Sequence, residues 1–108
     1  MSHSWTDDDE LIAYYLYRFG DGDLSLNRKE LSDILGMTLD SLSMKISNFK
    51  AVDGQGGLDG YTTKDVRIYK QFHMLPDGQV KTTAEAAILR AMEEYTAELK
   101  EHLAQRKA

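Results

Sequence analysis

Cysteine is absent from this chain, which excludes a disulfide framework, a thiolate nucleophile and any cysteine-ligated zinc site. No apolar run nears the roughly 18 residues of a membrane span. The N-terminus is polar and acidic and lacks the apolar stretch of a signal peptide, so a cytoplasmic protein with no membrane partner is expected. Neither a Gly-x-Ser-x-Gly elbow nor the Gly-Lys-Ser/Thr end of a phosphate loop occurs. His3, His73 and His102 are isolated from one another in the sequence. We therefore expect no enzyme, catalytic residue, metal or cofactor.

Positive charge is also in short supply. The formal net charge is −5, and it is unevenly spread. Over residues 1–23, Asp7, Asp8, Asp9, Glu10, Asp21 and Asp23 face only Arg18, whereas bases and acids nearly balance over the rest of the chain. The acidity thus belongs to the first helix and the loop after it. Nucleic-acid binding requires a basic face rather than a basic total, but a surplus of acid lowers non-specific affinity.

What is present is helical patterning, with 42% apolar and 29% charged residues, ordinary for one globular domain. Thr6 suits an N-cap and Asp7, Asp8 and Asp9 suit the positive end of a helix dipole. A first helix is predicted from about Asp7 to Phe19, with Leu11, Ile12, Tyr15, Leu16 and Phe19 on one face and Tyr14 and Tyr17 beside it. Gly20-Asp21-Gly22-Asp23 ends it; without a Glu at the twelfth position this is not a calcium loop.

Asn27 to Glu30 reads as a capping box for a second helix, about Arg28 to Leu35, that buries Leu31, Ile34 and Leu35. Gly36 supplies a left-handed turn. Thr38 or Asp40 caps a third helix reaching about Lys50, with Leu39, Leu42, Ile46 and Phe49 inward. Leu31 to Ile46 thereby has the layout of a helix-turn-helix. The face opposite the apolar stripe carries Ser41, Met44, Lys45 and Asn48, flanked by Ser43 and Ser47 and followed by Lys50. Small hydroxyls, an amide and a lysine are groups that approach bases and phosphates closely.

Residues 51–61 form a glycine-rich loop. A fourth helix begins at Thr62 or Thr63, with Val66, Tyr69 and Phe72 inward and Lys64, Arg67 and Lys70 sharing a face that fits a phosphate backbone. The single proline lies in Pro76-Asp77-Gly78, a turn signal. Met74-Leu75 and Gln79-Val80-Lys81 around it suggest a short wing-like hairpin. Thr82-x-x-Glu85 is a capping box for a fifth helix, about Thr83 to near Gln105, amphipathic through Ala84, Ala87, Ile88, Ala91, Met92, Tyr95, Leu99 and Leu103.

Trp5-Thr6 with its acids and aromatic helix, then Ser41-Leu42-Ser43-Met44-Lys45-Ile46-Ser47-Asn48-Phe49, then Asp53 and Gly57-Leu58, resembles a small N-terminal module. That module occurs on bacterial HNH-class restriction-type endonucleases and related defence proteins. The resemblance covers about residues 5–75. It implies a helical target-recognition module serving DNA, with Lys45 and Asn48 carried over and Phe49 as packing. The nuclease half has no counterpart, since no His-Asn-His arrangement exists, and the loop after Asp53 lacks the proline usual there.

The expected fold is therefore all-α: a helix-turn-helix-like bundle of about four helices over residues 1–81, with a wing-like hairpin, and a long amphipathic helix over 82–108. The expected function is duplex-DNA recognition, in a regulator or a defence (restriction-modification) setting. Ser41, Ser43, Met44, Lys45, Asn48 and Lys50 would face the DNA; Lys64, Arg67 and Lys70 would hold phosphates. Ile88, Met92, Tyr95, Leu99 and Leu103 would pair two copies. The alternative is a protein-interaction module, an inhibitor or DNA mimic included, that uses the acidic N-terminal face and the last helix.

Overall fold

A computed structural model describes residues 4–56 and 60–107. The protein is all-α. Five helices follow in order: α1 (Asp7–Phe19), α2 (Arg28–Leu35), α3 (Leu39–Val52), α4 (Thr63–Phe72) and α5 (Asp77–Lys107). Gly57 and Leu58, which contribute to the resemblance, lie outside the described residues.

Four helix starts follow directly from side-chain chemistry. The Asp9 amide donates to Thr6 Oγ1 at 3.1 Å, the Glu30 amide to Asn27 Oδ1 at 2.9 Å, the Ser41 amide to Thr38 Oγ1 at 3.0 Å and the Asp65 amide to Thr62 Oγ1 at 3.1 Å. Each bond satisfies one of the amides a helix leaves without a partner at its start. Gly36 adopts φ 74°, ψ 30°. This left-handed geometry lets the chain reverse between α2 and α3, and a side chain there would be strained.

The core is built around α1. Ile12, Ala13, Tyr14, Tyr15 and Leu16 are consecutive and all buried, which a helix achieves only when neighbours cover every side. α5, α3 and α4 pack on it, and α2 closes the gap between α3 and α5. The Tyr14 ring lies 5.5 Å from Phe49, 6.2 Å from Tyr69 and 6.4 Å from Phe72. The Phe49 and Tyr69 contacts are edge-on, an arrangement that contributes about 0.5–1.5 kcal/mol each beyond area burial.

The buried stripes of α3 and α4 are rotated from the expected ones. Leu42, Lys45 and Phe49 are the buried residues of α3, while Leu39 is exposed and Ile46 only half-buried. In α4 the buried set is Asp65, Ile68 and Phe72, with Val66 and Tyr69 at the margin. Both stripes keep the three-four spacing of a helix face but admit a charged residue.

The expected hairpin is corrected. No strand occurs among the described residues, and Gln79-Val80-Lys81 lie inside α5. The helix starts just after Pro76, whose missing N–H costs nothing there and whose carbonyl accepts from the Val80 amide at 3.2 Å. The earlier start places Val80 fully inside the core. Thr82 and Thr83 consequently serve no cap; their hydroxyls donate to the carbonyls of Gly78 (2.9 Å) and Gln79 (2.8 Å) one turn back. α5 runs unbroken through residues 81 and 82. Its first half is core through Val80, Ala84, Ala87 and Ile88, and beyond Tyr95 every side chain described is exposed.

Val80→Ala is expected to lower stability in urea unfolding by about 2 kcal/mol, through lost burial and an imperfectly closed cavity. Gln79→Ala, at an exposed neighbour, should change it by less than about 0.5 kcal/mol. Equal effects at the two positions would contradict the early helix start.

Candidate functional site

Three sets of polar groups and two surfaces warrant a functional reading. The first set centres on Lys45. Its ammonium lies 2.8 Å from Asp65 Oδ1 and 3.1 Å from Glu10 Oε1, with the Trp5 ring centroid 4.8 Å away. All three charged side chains are nearly inaccessible, at 7%, 0% and 1% exposure for Lys45, Asp65 and Glu10. Asp65 is also the cap partner of Thr62, whose amide donates to Oδ2 at 2.9 Å, and Asn48 Nδ2 approaches the same oxygen at 3.3 Å. One cation thus joins α1, α3 and α4.

Two carboxylates share that single ammonium, so their affinities for a proton separate. Burial, reinforced by Asp65, pushes Glu10 up to about 7. For Asp65 burial acts in the same upward sense, but hydrogen bonds from Glu10, Lys45 and the Thr62 amide outweigh it and hold Asp65 below the ordinary range. Glu10 Oε2 has no hydrogen-bond acceptor role filled by the surrounding protein. Once protonated it becomes a donor toward Asp65, which resolves the mismatch.

The second set is Asp53, beyond the end of α3, whose two oxygens accept from Tyr17 Oη and Tyr69 Oη. Those bonds hold Asp53 low, while burial and then the Asp53 charge hold both phenols high. Stable, oppositely directed shifts of this kind suit a structural tie of α1, α3 and α4 rather than proton transfer near neutrality. The third set is Arg18, which donates to the carbonyls of Phe72 (3.1 Å) and Leu75 (3.0 Å) and pairs with Asp77 at 2.6 Å. It closes the α4–α5 turn.

The expected DNA-facing residues do not form one surface. Lys45 is corrected from exposed to buried, and Asn48 is half-buried against Asp65. Ser41 is occupied at the α3 cap with Thr38. Lys64 donates to the Trp5 carbonyl at 2.8 Å, and Arg67 pairs with Asp7 at 2.7 Å. Ser43, Met44, Lys50 and Lys70 are exposed. The signal for Lys45 was available: it lies three residues after Leu42 and four before Phe49, squarely on an apolar stripe. The sequence reading treats Glu10 only as a surface acid and gives Asp65 no role, although Asp65 stands three residues before Ile68 and seven before Phe72 on the buried stripe of α4.

The acidic face is paired with bases of its own chain. Asp7 pairs with Arg67, Asp8 with Arg90 through two bonds of 2.8 and 2.9 Å, and Asp23 with Lys81 at 3.3 Å. Asp9 caps α1, Asp21 accepts from the Arg28 amide at 3.0 Å, and Glu10 is buried. Each acid of residues 1–23 is therefore engaged within the chain. Exposed pairs add little stability, but they neutralise the face.

The second surface is a row of apolar side chains along the outer half of α5. Leu89, Met92, Leu99 and Leu103 are 59%, 37%, 45% and 55% exposed. Ile88, expected beside them, is core at 7%, and Tyr95, two turns further on the same flank, is half-buried. Next to Leu89 and Met92 a cavity of about 410 Å³ opens between α5 and the α1–α2 loop, floored by Leu24, Leu26, Leu31 and Ile88. Compared with protein-family models, with curated proteins and with solved structures, the chain finds no match. The assignment therefore rests on its own geometry.

Between about pH 4.5 and 7 the folded chain keeps a proton on Glu10 that the unfolded chain releases. Stability should therefore fall as pH rises through that window and level off above it. Urea midpoints measured across pH should show this slope for the native chain and lose it for Glu10→Gln. Lys45→Ala, which leaves the buried carboxylates without their cation, should cost about 3–5 kcal/mol.

Proposed function

We propose that this protein is an interaction module that acts by self-association through the outer half of α5. The observation that carries the reading is the spacing of the exposed apolar residues. Leu89, Met92, Thr96, Leu99 and Leu103 follow one another at intervals of three, four, three and four, which is the a/d seam of a helix that pairs with another helix. Thr96 fits the seam because its hydroxyl already donates to the Met92 carbonyl at 2.8 Å, so covering it leaves no donor unmet.

This seam is distinct from the face α5 turns to its own core. At 100° per residue the core set (Val80, Ala84, Ala87, Ile88) and the seam are centred about a third of a turn apart. The helix could not bury both against α1. An apolar row left in water on a helix that outruns its domain marks an association surface. A second copy is the simplest occupant, because a two-fold axis supplies an identical seam.

The duplex-DNA reading, with the defence-system setting the resemblance implies, draws on the α2–turn–α3 layout and on the exposed Ser43, Met44, Lys50 and Lys70. The burial of Lys45 and the pairing of Lys64 and Arg67 leave it fewer cations for phosphates. It is thereby the weaker reading.

Light scattering over a dilution series should give twice the chain mass at high concentration. Leu99→Glu with Leu103→Glu should return the monomer with the thermal unfolding of the domain body retained. A labelled random-sequence duplex should show no salt-sensitive polarisation change at low salt. A persistent monomer that binds that duplex, with affinity falling steeply as salt is added, would reverse the order of the two readings.

A further inference from the structure

The seam carries more than an ability to pair; its flanks and the adjoining cavity specify how. With Leu89, Thr96 and Leu103 as a positions and Met92 and Leu99 as d positions, Glu93 and Lys100 are both e positions. In an antiparallel helix pair e faces e, whereas in a parallel pair e faces g. The antiparallel register that layers Met92 against Leu103 and Thr96 against Leu99 also sets Glu93 opposite Lys100 of the other copy. Two-fold symmetry repeats that pair, so both flanking contacts are attractive. The parallel register instead sets Glu93 against Ile88 and Lys100 against Tyr95. It also brings two acidic bodies to the same end.

The antiparallel register has a second consequence. It carries the far end of one α5 back over the near end of the other, where the cavity beside Leu89 and Met92 lies. That cavity is lined by apolar Leu24, Leu26, Leu31 and Ile88 from the loop and helices of the body, with Asp23, Ser25 and Glu85 also in its wall.

We infer that two copies pair through antiparallel α5 helices, with Leu103 of each copy seated at the mouth of the other's Leu24–Leu26–Met92 groove and Glu93 bonded to the partner's Lys100. This rests on the self-association reading and fixes its occupant, orientation and register. The loop between α1 and α2 then becomes part of the interface, and the domain body contributes to recognition alongside the helix. A generic amphipathic helix would satisfy the seam but not the charges and the groove together.

The absence of native cysteine makes the test clean. Met92→Cys and Leu103→Cys chains are prepared separately, given different mass tags, checked for dimer mass while reduced, then mixed and mildly oxidised. The inference expects a disulfide between the two different variants and little between like chains. Disulfides mainly between like chains would overturn the antiparallel register while leaving self-association intact. Monomer mass for the native chain at all concentrations would overturn both. As an independent reading, Glu93→Lys alone should weaken dimerisation about tenfold, by turning two attractions into repulsions, and adding Lys100→Glu in the same chain should restore it. Equal affinity for the native, single and double variants would also overturn the register.

Discussion

One ammonium group holds three helices together. Lys45 projects from α3 between Glu10 of α1 and Asp65 of α4, beneath the Trp5 ring. Around it the helices acquire their rotations. α3 must turn Leu42, Lys45 and Phe49 inward as a set, and α4 must bring Asp65 in with Ile68 and Phe72. A buried ion pair of this sort is a poor source of net stability against an apolar replacement of the same shape. Its effect is on uniqueness, because any other rotation of α3 or α4 leaves charge without a partner away from water. Asp53 repeats the logic about two turns further along, collecting two phenols from α1 and α4 at the end of α3.

The same rotations explain why the outward surface is not the one that residue types suggested. A lysine, an asparagine and two serines on one helix resemble a reading face only while that helix has one covered side. α3 is covered by both α1 and α4, so its inaccessible arc is wider and takes in Lys45 and part of Asn48. Lys64 and Arg67 of α4 meet Asp7 at the start of α1, and each cancels the other's reach into solvent. Beyond Tyr95 the side chains described on α5 stand in solvent.

Much of the fold was legible in the sequence because its signals are local. Thr6, Asn27, Thr38 and Thr62 cap within three residues, and Gly36 reverses the chain where a side chain would strain. The start of α5 was not legible in the same way. Pro76-Asp77-Gly78 spells a turn and Thr82-x-x-Glu85 spells a cap, but the burial of Val80 against the body outweighs both, a long-range gain that no window of a few residues contains. The long apolar stripe of α5 concealed a similar difficulty. It is two stripes, one buried in the core and one exposed, and Ile88 and Leu89 fall on opposite sides of the divide.

A single helix that belongs to a core at one end and stands in solvent at the other is also a lever. Its fulcrum is the pair Ala84 and Ala87, fully buried and too small to hold α5 off the body. From Ile88 to Leu103 the arm is roughly 22 Å, so a tilt of about 10° at the fulcrum would carry the tip about 4 Å, close to the width of a side chain. Residues buried in the body therefore set where the exposed half of α5 points. A change of volume at Ala84 or Ala87 would redirect that half while the helix itself stayed intact.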